Sequence, residues 1–132
     1  MKIAAITEDG KSISQHFGRA PYYMVLTVEE GKIVNREMRE KLGHIQFRTE
    51  GQDHHESNGR HGYGPAAEDR HARMAGAIAD CQALLCRGMG MGAYESMQAR
   101  GIRPVVTDIA LIDEAVMAYL DGRIVDHVDR LH

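Results

Sequence analysis

The sequence predicts an α/β fold, a mixed sheet with helices on its faces. Three observations carry that expectation. Residues 1–40 hold short apolar and β-branched runs joined by turn chemistry. From residue 66 onward, helical stripes alternate with short apolar runs of strand length. Between one such run and the next helix lies Leu84-Leu85-Cys86-Arg87-Gly88-Met89-Gly90-Met91-Gly92-Ala93, where an apolar run breaks into glycines at every second position. A hairpin followed by alternating β and α gives a sheet of mixed direction.

Residues 1–7 are mostly apolar and read as a buried strand. Glu8-Asp9-Gly10-Lys11 is a turn with D-G chemistry. Residues 12–21 are polar apart from two apolar anchors and end in Gly and Pro, so they read as a loop. Tyr22-Tyr23-Met24-Val25-Leu26-Thr27-Val28 is aromatic and β-branched, hence a strand. Residues 29–32 make a four-residue hairpin loop, and residues 33–40 return. The return strand is charged enough to sit at a sheet edge.

Periodicity vanishes over 43–69, a stretch rich in Gly and His. Long loops without secondary structure are uncommon inside compact domains and are usually functional or disordered. This one is expected to be mobile without cargo, since it has little apolar anchoring. Asp53-His54-His55-Glu56 and His61 supply imidazoles and carboxylates, the ligand types of a borderline metal. His54, His55 and His61 are therefore candidate metal ligands that modulate capture.

Helical spacing returns over 66–80, with Ala67, Met74, Ala75, Ile78 and Ala79 on one stripe. Residues 81–86 read as a buried strand. After the glycine turn, 93–100 reads as a helix stopped by Gly101. Residues 102–107 form another strand, with Pro104 tolerated near its start. Residues 109–121 form a helix closed by Gly122, and 124–128 is a short run expected to extend the last edge. In such a sheet ligands bind beyond the carboxyl ends of parallel strands. The turns at 7–10, 86–92 and 107–108 should then converge on one rim.

Composition narrows the function classes. The chain has 132 residues, the size of one domain spanning 1–132, with no internal repeat and no linker. Its formal net charge is −3, which argues against general nucleic-acid binding. No apolar run approaches the roughly 20 residues that span a membrane, and no signal-peptide pattern opens the chain. A cytoplasmic location is expected. The two cysteines, Cys81 and Cys86, do not form a C-x-x-C motif and are expected reduced.

The glycine turn is the candidate binding site. Strand, glycine-rich turn and helix in that order leave unpaired N–H groups at the positive end of a helix dipole, which favours anions. Glycines let backbone come close to a ligand and take up φ > 0 where needed. The pattern G-x-G-x-G is neither the dinucleotide fingerprint nor a P-loop. Arg87 and the backbone of Gly88, Gly90 and Gly92 can donate hydrogen bonds. Cys86 heads the turn, and Met89 and Met91 add soft thioethers, which also admit copper as Cu(I).

Four segments carry a family resemblance: Ile3-Ala4-Ala5-Ile6-Thr7, Ile13-Ser14-Gln15-His16-Phe17-Gly18-Arg19-Ala20, Tyr22-Tyr23-Met24-Val25, and the glycine turn with Gly101-Ile102 one helix later. With these the chain resembles the dinitrogenase iron–molybdenum cofactor biosynthesis family, the small NifX-like proteins and NifB C-terminal domains. The resemblance covers nearly the whole chain and is weakest across 43–69. It implies a ribonuclease H-like three-layer α/β/α sandwich with a five-stranded mixed sheet. It implies binding and carrying of an iron- and/or molybdenum-containing metal–sulfide cluster, without turnover. His16 and Arg19 would face that cargo together with the glycine turn, whereas Cys86 is not carried over as a family ligand. The implied partners are the cluster and the donor and acceptor proteins of cofactor assembly, for a monomer or weak homo-oligomer with no nucleic-acid or membrane partner.

Other functions compete. Two-metal nuclease chemistry needs clustered carboxylates, but the first strand carries none, and Glu8 and Asp9 share one turn. A small anion- or phosphate-binding module would use the same helix start. A metal-buffering protein would work through the His-rich loop.

Overall fold

A computed structural model describes residues 1–41 and 65–131, the side chains of 65–68 excepted. His54, His55 and His61, and all but the end of the region 43–69, lie outside the described residues.

Five strands form one sheet: β1 (Lys2–Thr7), β2 (Tyr22–Glu29), β3 (Lys32–Glu40), β4 (Ala83–Cys86) and β5 (Arg103–Val106). Among the described residues three α-helices follow the hairpin: α1 (Pro65–Gly76), α2 (Met91–Ala99) and α3 (Ile112–Leu120). The strand order is β3-β2-β1-β4-β5. β2 runs antiparallel to both neighbours, while β4 is parallel to β1 and β5 to β4. The expected mixed sheet is present, with the charged β3 at its edge.

The hairpin closes through Glu30 and Gly31, both at positive φ (53° and 77°). A two-residue turn of that hand matches the twist of the strands it joins. Side chains alternate across the sheet and so assign the helices to faces. Tyr23 Oη donates to the Met74 carbonyl of α1 at 2.9 Å, and Arg39, its cross-strand partner, reaches the Ala77 carbonyl at 2.9 Å. Arg36, opposite Leu26, points the other way and grips Asp113 of α3 through two contacts of 2.7 Å. α1 and α2 pack together on the first face, and the Asp113 contact puts α3 on the second. Ile3, Ile6, Leu26, Leu84 and Leu85 are fully buried between them. Each such side chain contributes roughly 1.5–3 kcal/mol.

Several boundaries differ from the sequence expectation. α1 stops at Gly76, and 77–81 proceeds by tight turns (Ile78 N–H to Ala75 O, Cys81 N–H to Ile78 O). Ile78 stays on the stripe because it anchors those turns in the core. The last helix starts at Ile112 and not at 109, because 110–112 pairs with 11–13. Ile13 N–H donates to Ala110 O at 2.8 Å and Ile112 N–H to Lys11 O at 3.0 Å. The run 124–128 forms no strand. There Asp126 uses its carboxylate to take the Val106 N–H at 2.8 Å, and His127 N–H donates back to Val106 O at 2.8 Å. A side chain stands in for half of a strand pairing.

Candidate functional site

β1, β4 and β5 end side by side, so the three turns expected to converge do converge. Thr7 closes β1 and organises the first turn: its Oγ1 donates to Ser12 O at 2.7 Å and accepts from Gly10 N–H at 2.8 Å. Asp9 accepts from the N–H groups of Lys11 and Ser12, both at 2.9 Å. Those backbone bonds, that of Ser12 foremost, hold its carboxyl well below the usual carboxylate range.

The chain then lies across the rim. Ser14 N–H donates to Ile6 O at 2.9 Å, and Ser14 O accepts from Arg87 N–H at 3.3 Å. Phe17 N–H donates to Gly88 O at 3.2 Å. The loop 13–17 thus bridges the ends of β1 and β4 and seals against the glycine turn. Ile13, Phe17 and Ala20 are its buried anchors, while His16 and Arg19 are exposed between them. The hydrophobic spacing of this loop already showed its anchors; its pairing partners were not visible.

Gly88 is the tightest point. A Cβ there would lie 2.4 Å from Gln15 O, so only glycine allows the loop and the turn to touch. The expected use of positive φ in this turn is corrected. Among the described glycines, positive φ belongs to Gly10, Gly31, Gly101 and Gly122, and Gly90 sits at φ −78° and ψ 155°. Close approach, not handedness, is what Gly88 supplies.

α2 begins at Met91, two residues earlier than expected, with Gly90 as its N-cap and no side chain capping it. Among the described residues, none accepts from the N–H groups of Met91, Gly92 or Ala93. The helix start lies beside Arg87, which is half-buried, and Met91, which is exposed.

Two candidate ligands are displaced from this surface. Cys86 is fully buried as the last residue of β4, its thiol 3.6 Å from Val105 O, and burial pushes that thiol up to about 12. A protonated thiol in the core is a poor metal ligand. Met89 is 1% exposed and fills the core. The turn enters the core at Cys86 and again at Gly88 and Met89, and it emerges over Gly90 to Gly92. The candidate residues left at least partly exposed are His16, Arg19, Arg87, Gly90, Met91 and Gly92, with Gly88 buried under the loop. Among the described residues, no three His, Cys, Asp or Glu side chains stand together as a metal-ligand set.

Sequence reasoning missed three residues around the rim. Tyr94 of α2 donates to Asp126 at 2.8 Å, tying the helix to the segment that covers β5. His127 Nε2 stands 3.7 Å from Asp108, just beyond β5. Lys41 is 3% exposed at the foot of the loop. Its Nζ donates to Phe17 O and lies 4.3 Å from the centre of the Phe17 ring. Burial foremost, then the charge of Arg70, pulls its ammonium down to about 7. No sequence signal marked Lys41, which continues the charged run of an edge strand.

Comparison with known proteins agrees with this architecture. The chain is 28% identical over 124 residues to an uncharacterized protein of Methanocaldococcus jannaschii, covering 94% of this chain and 89% of that one. The apo form of the orange protein of Desulfovibrio gigas has the same fold, with a TM-score of 0.62 and 21% identity over 96% of this chain and 92% of that one. A candidate dinitrogenase from Methanocaldococcus jannaschii also superposes, with a TM-score of 0.62 and 11% identity over 97% and 95% of the two chains. The family model described as dinitrogenase iron-molybdenum cofactor matches residues 1–122. With its N-terminal strand, rim loop and glycine turn all inside that match, this chain belongs to the dinitrogenase iron–molybdenum cofactor family, whose members serve iron–molybdenum cofactor biosynthesis.

Proposed function

We propose that this protein binds and carries an anionic metal–sulfide cluster containing iron, molybdenum or both, and passes it on without turnover. The observation that carries the reading is the sealed rim. There the loop bearing His16 and Arg19 is locked to the glycine turn, at a helix start whose N–H groups have no acceptor among the described residues. Metal–sulfide clusters such as thiomolybdates are anions. A carrier must hold them and release them, and several donors with one or two cations suit that better than four thiolates. Arg19, Arg87 and the α2 amides would donate to sulfide, and His16 would donate or coordinate. We place Cys86 and Met89 outside this ligand set because both are buried.

The same reading covers the finer assignments. We take the fold as a ribonuclease H-like three-layer sandwich, a label supported by the helices on both faces and the single reversed strand β2. We assign the cluster's donor and acceptor proteins as partners and the cytoplasm as the compartment. Among the described residues, no helix is long and apolar enough to cross a membrane.

The test is reconstitution with tetrathiomolybdate, and separately with an iron–sulfur cluster, read by absorbance and metal content. Gly90 has ordinary extended dihedrals, so Gly90→Val adds bulk at the helix start without backbone strain. Gly90→Val and Gly92→Val should lose most of the cargo while melting close to the parent. Arg19→Ala should weaken binding more mildly, since one charge-assisted hydrogen bond is worth roughly 1.5–3 kcal/mol. Full loading of both glycine variants would remove the site from the rim. Equal retention of inorganic phosphate and thiomolybdate would instead favour a general anion-binding module.

A further inference from the structure

We infer that Lys41 is a positioning residue for the rim: it grips the loop that carries His16 and Arg19 and sets it against the glycine turn. The inference deepens the reading above and rests on it for the nature of the cargo.

Lys41 follows the last residue of β3 and holds the loop at two points. Its backbone N–H donates to Pro21 O at 3.0 Å, where the loop enters β2. Its ammonium donates to Phe17 O and lies over the Phe17 ring at 4.3 Å. Between these points the chain makes a tight turn, with Arg19 and Ala20 N–H groups both bonded to His16 O at 3.1 and 3.0 Å. Phe17 is the link to the site. Its carbonyl is held by Lys41, and its N–H is given to Gly88 O. The amine, the Phe17 peptide groups and the glycine turn form one continuous chain of bonds.

Burying a lysine this completely is unfavourable unless its nitrogen is used. A methionine would fill the same volume at lower cost, so the retained donor points to the bond with Phe17 O. The titratable groups whose charge state bears on the amine are Arg70 of α1 and the Cys86 thiol of β4. Arg70 opposes its charge, while the Cys86 thiol stays protonated and carries none. Fixing donors before the cargo arrives removes the ordering entropy that binding would otherwise oppose.

The test compares Lys41→Met, which keeps the stem and removes the donor, with Lys41→Arg, which keeps a donor. Amide hydrogen exchange in the cargo-free full chain is the first readout. In Lys41→Met the Phe17 and Arg87 amides should exchange at least about tenfold faster, while amides of β1 and α3 stay within about twofold. Lys41→Arg should recover part of the protection. Unchanged exchange at Phe17 and Arg87, or an equal rise throughout the sheet, would overturn the positioning role. Tetrathiomolybdate affinity is the second readout, expected to fall roughly tenfold or more in Lys41→Met and partly return in Lys41→Arg. Parent-level affinity in Lys41→Met would also overturn it. If the parent itself does not bind thiomolybdate, the cargo reading fails, while the exchange data still decide whether Lys41 orders the loop.

Discussion

β4 and β3 belong to the same sheet and differ in almost every physical respect. β4 has four residues, all buried, and ends in the glycine turn. β3 has nine, of which none is buried, and it carries Arg36, Glu37, Arg39 and Glu40. β4 has a strand on each side, whereas β3 is the last strand in the sheet, with β2 alone beside it among the described residues. Charge on an edge strand discourages pairing with other chains, and β3 spends its charges on ion pairs across to Asp80 and Asp113. The site lies at the end of the buried strand. A rigid, fully packed support holds donors within small tolerances, which the half-solvated hairpin cannot do. The hairpin contributes instead through Lys41, where β3 has ended and the chain turns back into the interior.

Substitutions should break this contrast unequally. Leu84→Ala in β4 should cost about 2–5 kcal/mol by transfer and cavity terms, whereas Val34→Ala on β3 should stay within about 0.5 kcal/mol. Chemical denaturation of the two variants checks this, and comparable losses would mean that β3 is covered in solution. Gly88→Ala comes next. With Gln15 O 2.4 Å from the new Cβ, loop and turn must separate, at about 1–3 kcal/mol. Exchange of the Phe17 amide should rise with it, and a variant as stable as the parent would show that the seal is loose.

A smaller effect is expected in the pH dependence of stability. The folded Lys41 has its ammonium lowered from 10.5 to about 7, so between those values the unfolded chain binds more protons and stability rises with pH. Cys81 and Cys86 are raised by burial from 9.0 to about 12, so above 9 the folded chain keeps protons that the unfolded chain loses, and stability falls. Melting temperature should therefore climb from pH 7 to 9 and turn over beyond it. Lys41→Met should flatten the climb and leave the fall. The smallest effect belongs to the edge: Arg36→Ala should cost only about 0–1 kcal/mol despite two 2.7 Å contacts, because both partners are solvated. A double-mutant cycle with Asp113→Ala would measure the pair directly.

The sequence by itself determined the parts of this protein that depend on neighbours along the chain. Apolar and β-branched runs, alternation in the return strand, and turn chemistry marked all five strands, the hairpin and the charged edge. The order of elements marked the rim, because parallel strands joined through helices must end on one side. Chain-local signals also marked two apolar anchors in the loop 12–21, while His16 and Arg19 were singled out by the family resemblance. Tertiary structure alone decided which residues of the glycine turn face outward. Cys86 and Met89 looked like soft ligands in a row, yet each points into a core built by β1, β5 and α2. It also decided that 109–111 would not be helical, since residues 11–13 supplied backbone partners from the other end of the chain. Lys41 is the clearest case. Its burial comes from a loop more than twenty residues earlier meeting the end of β3, and no local pattern encodes a contact whose two halves meet only when the sheet has formed.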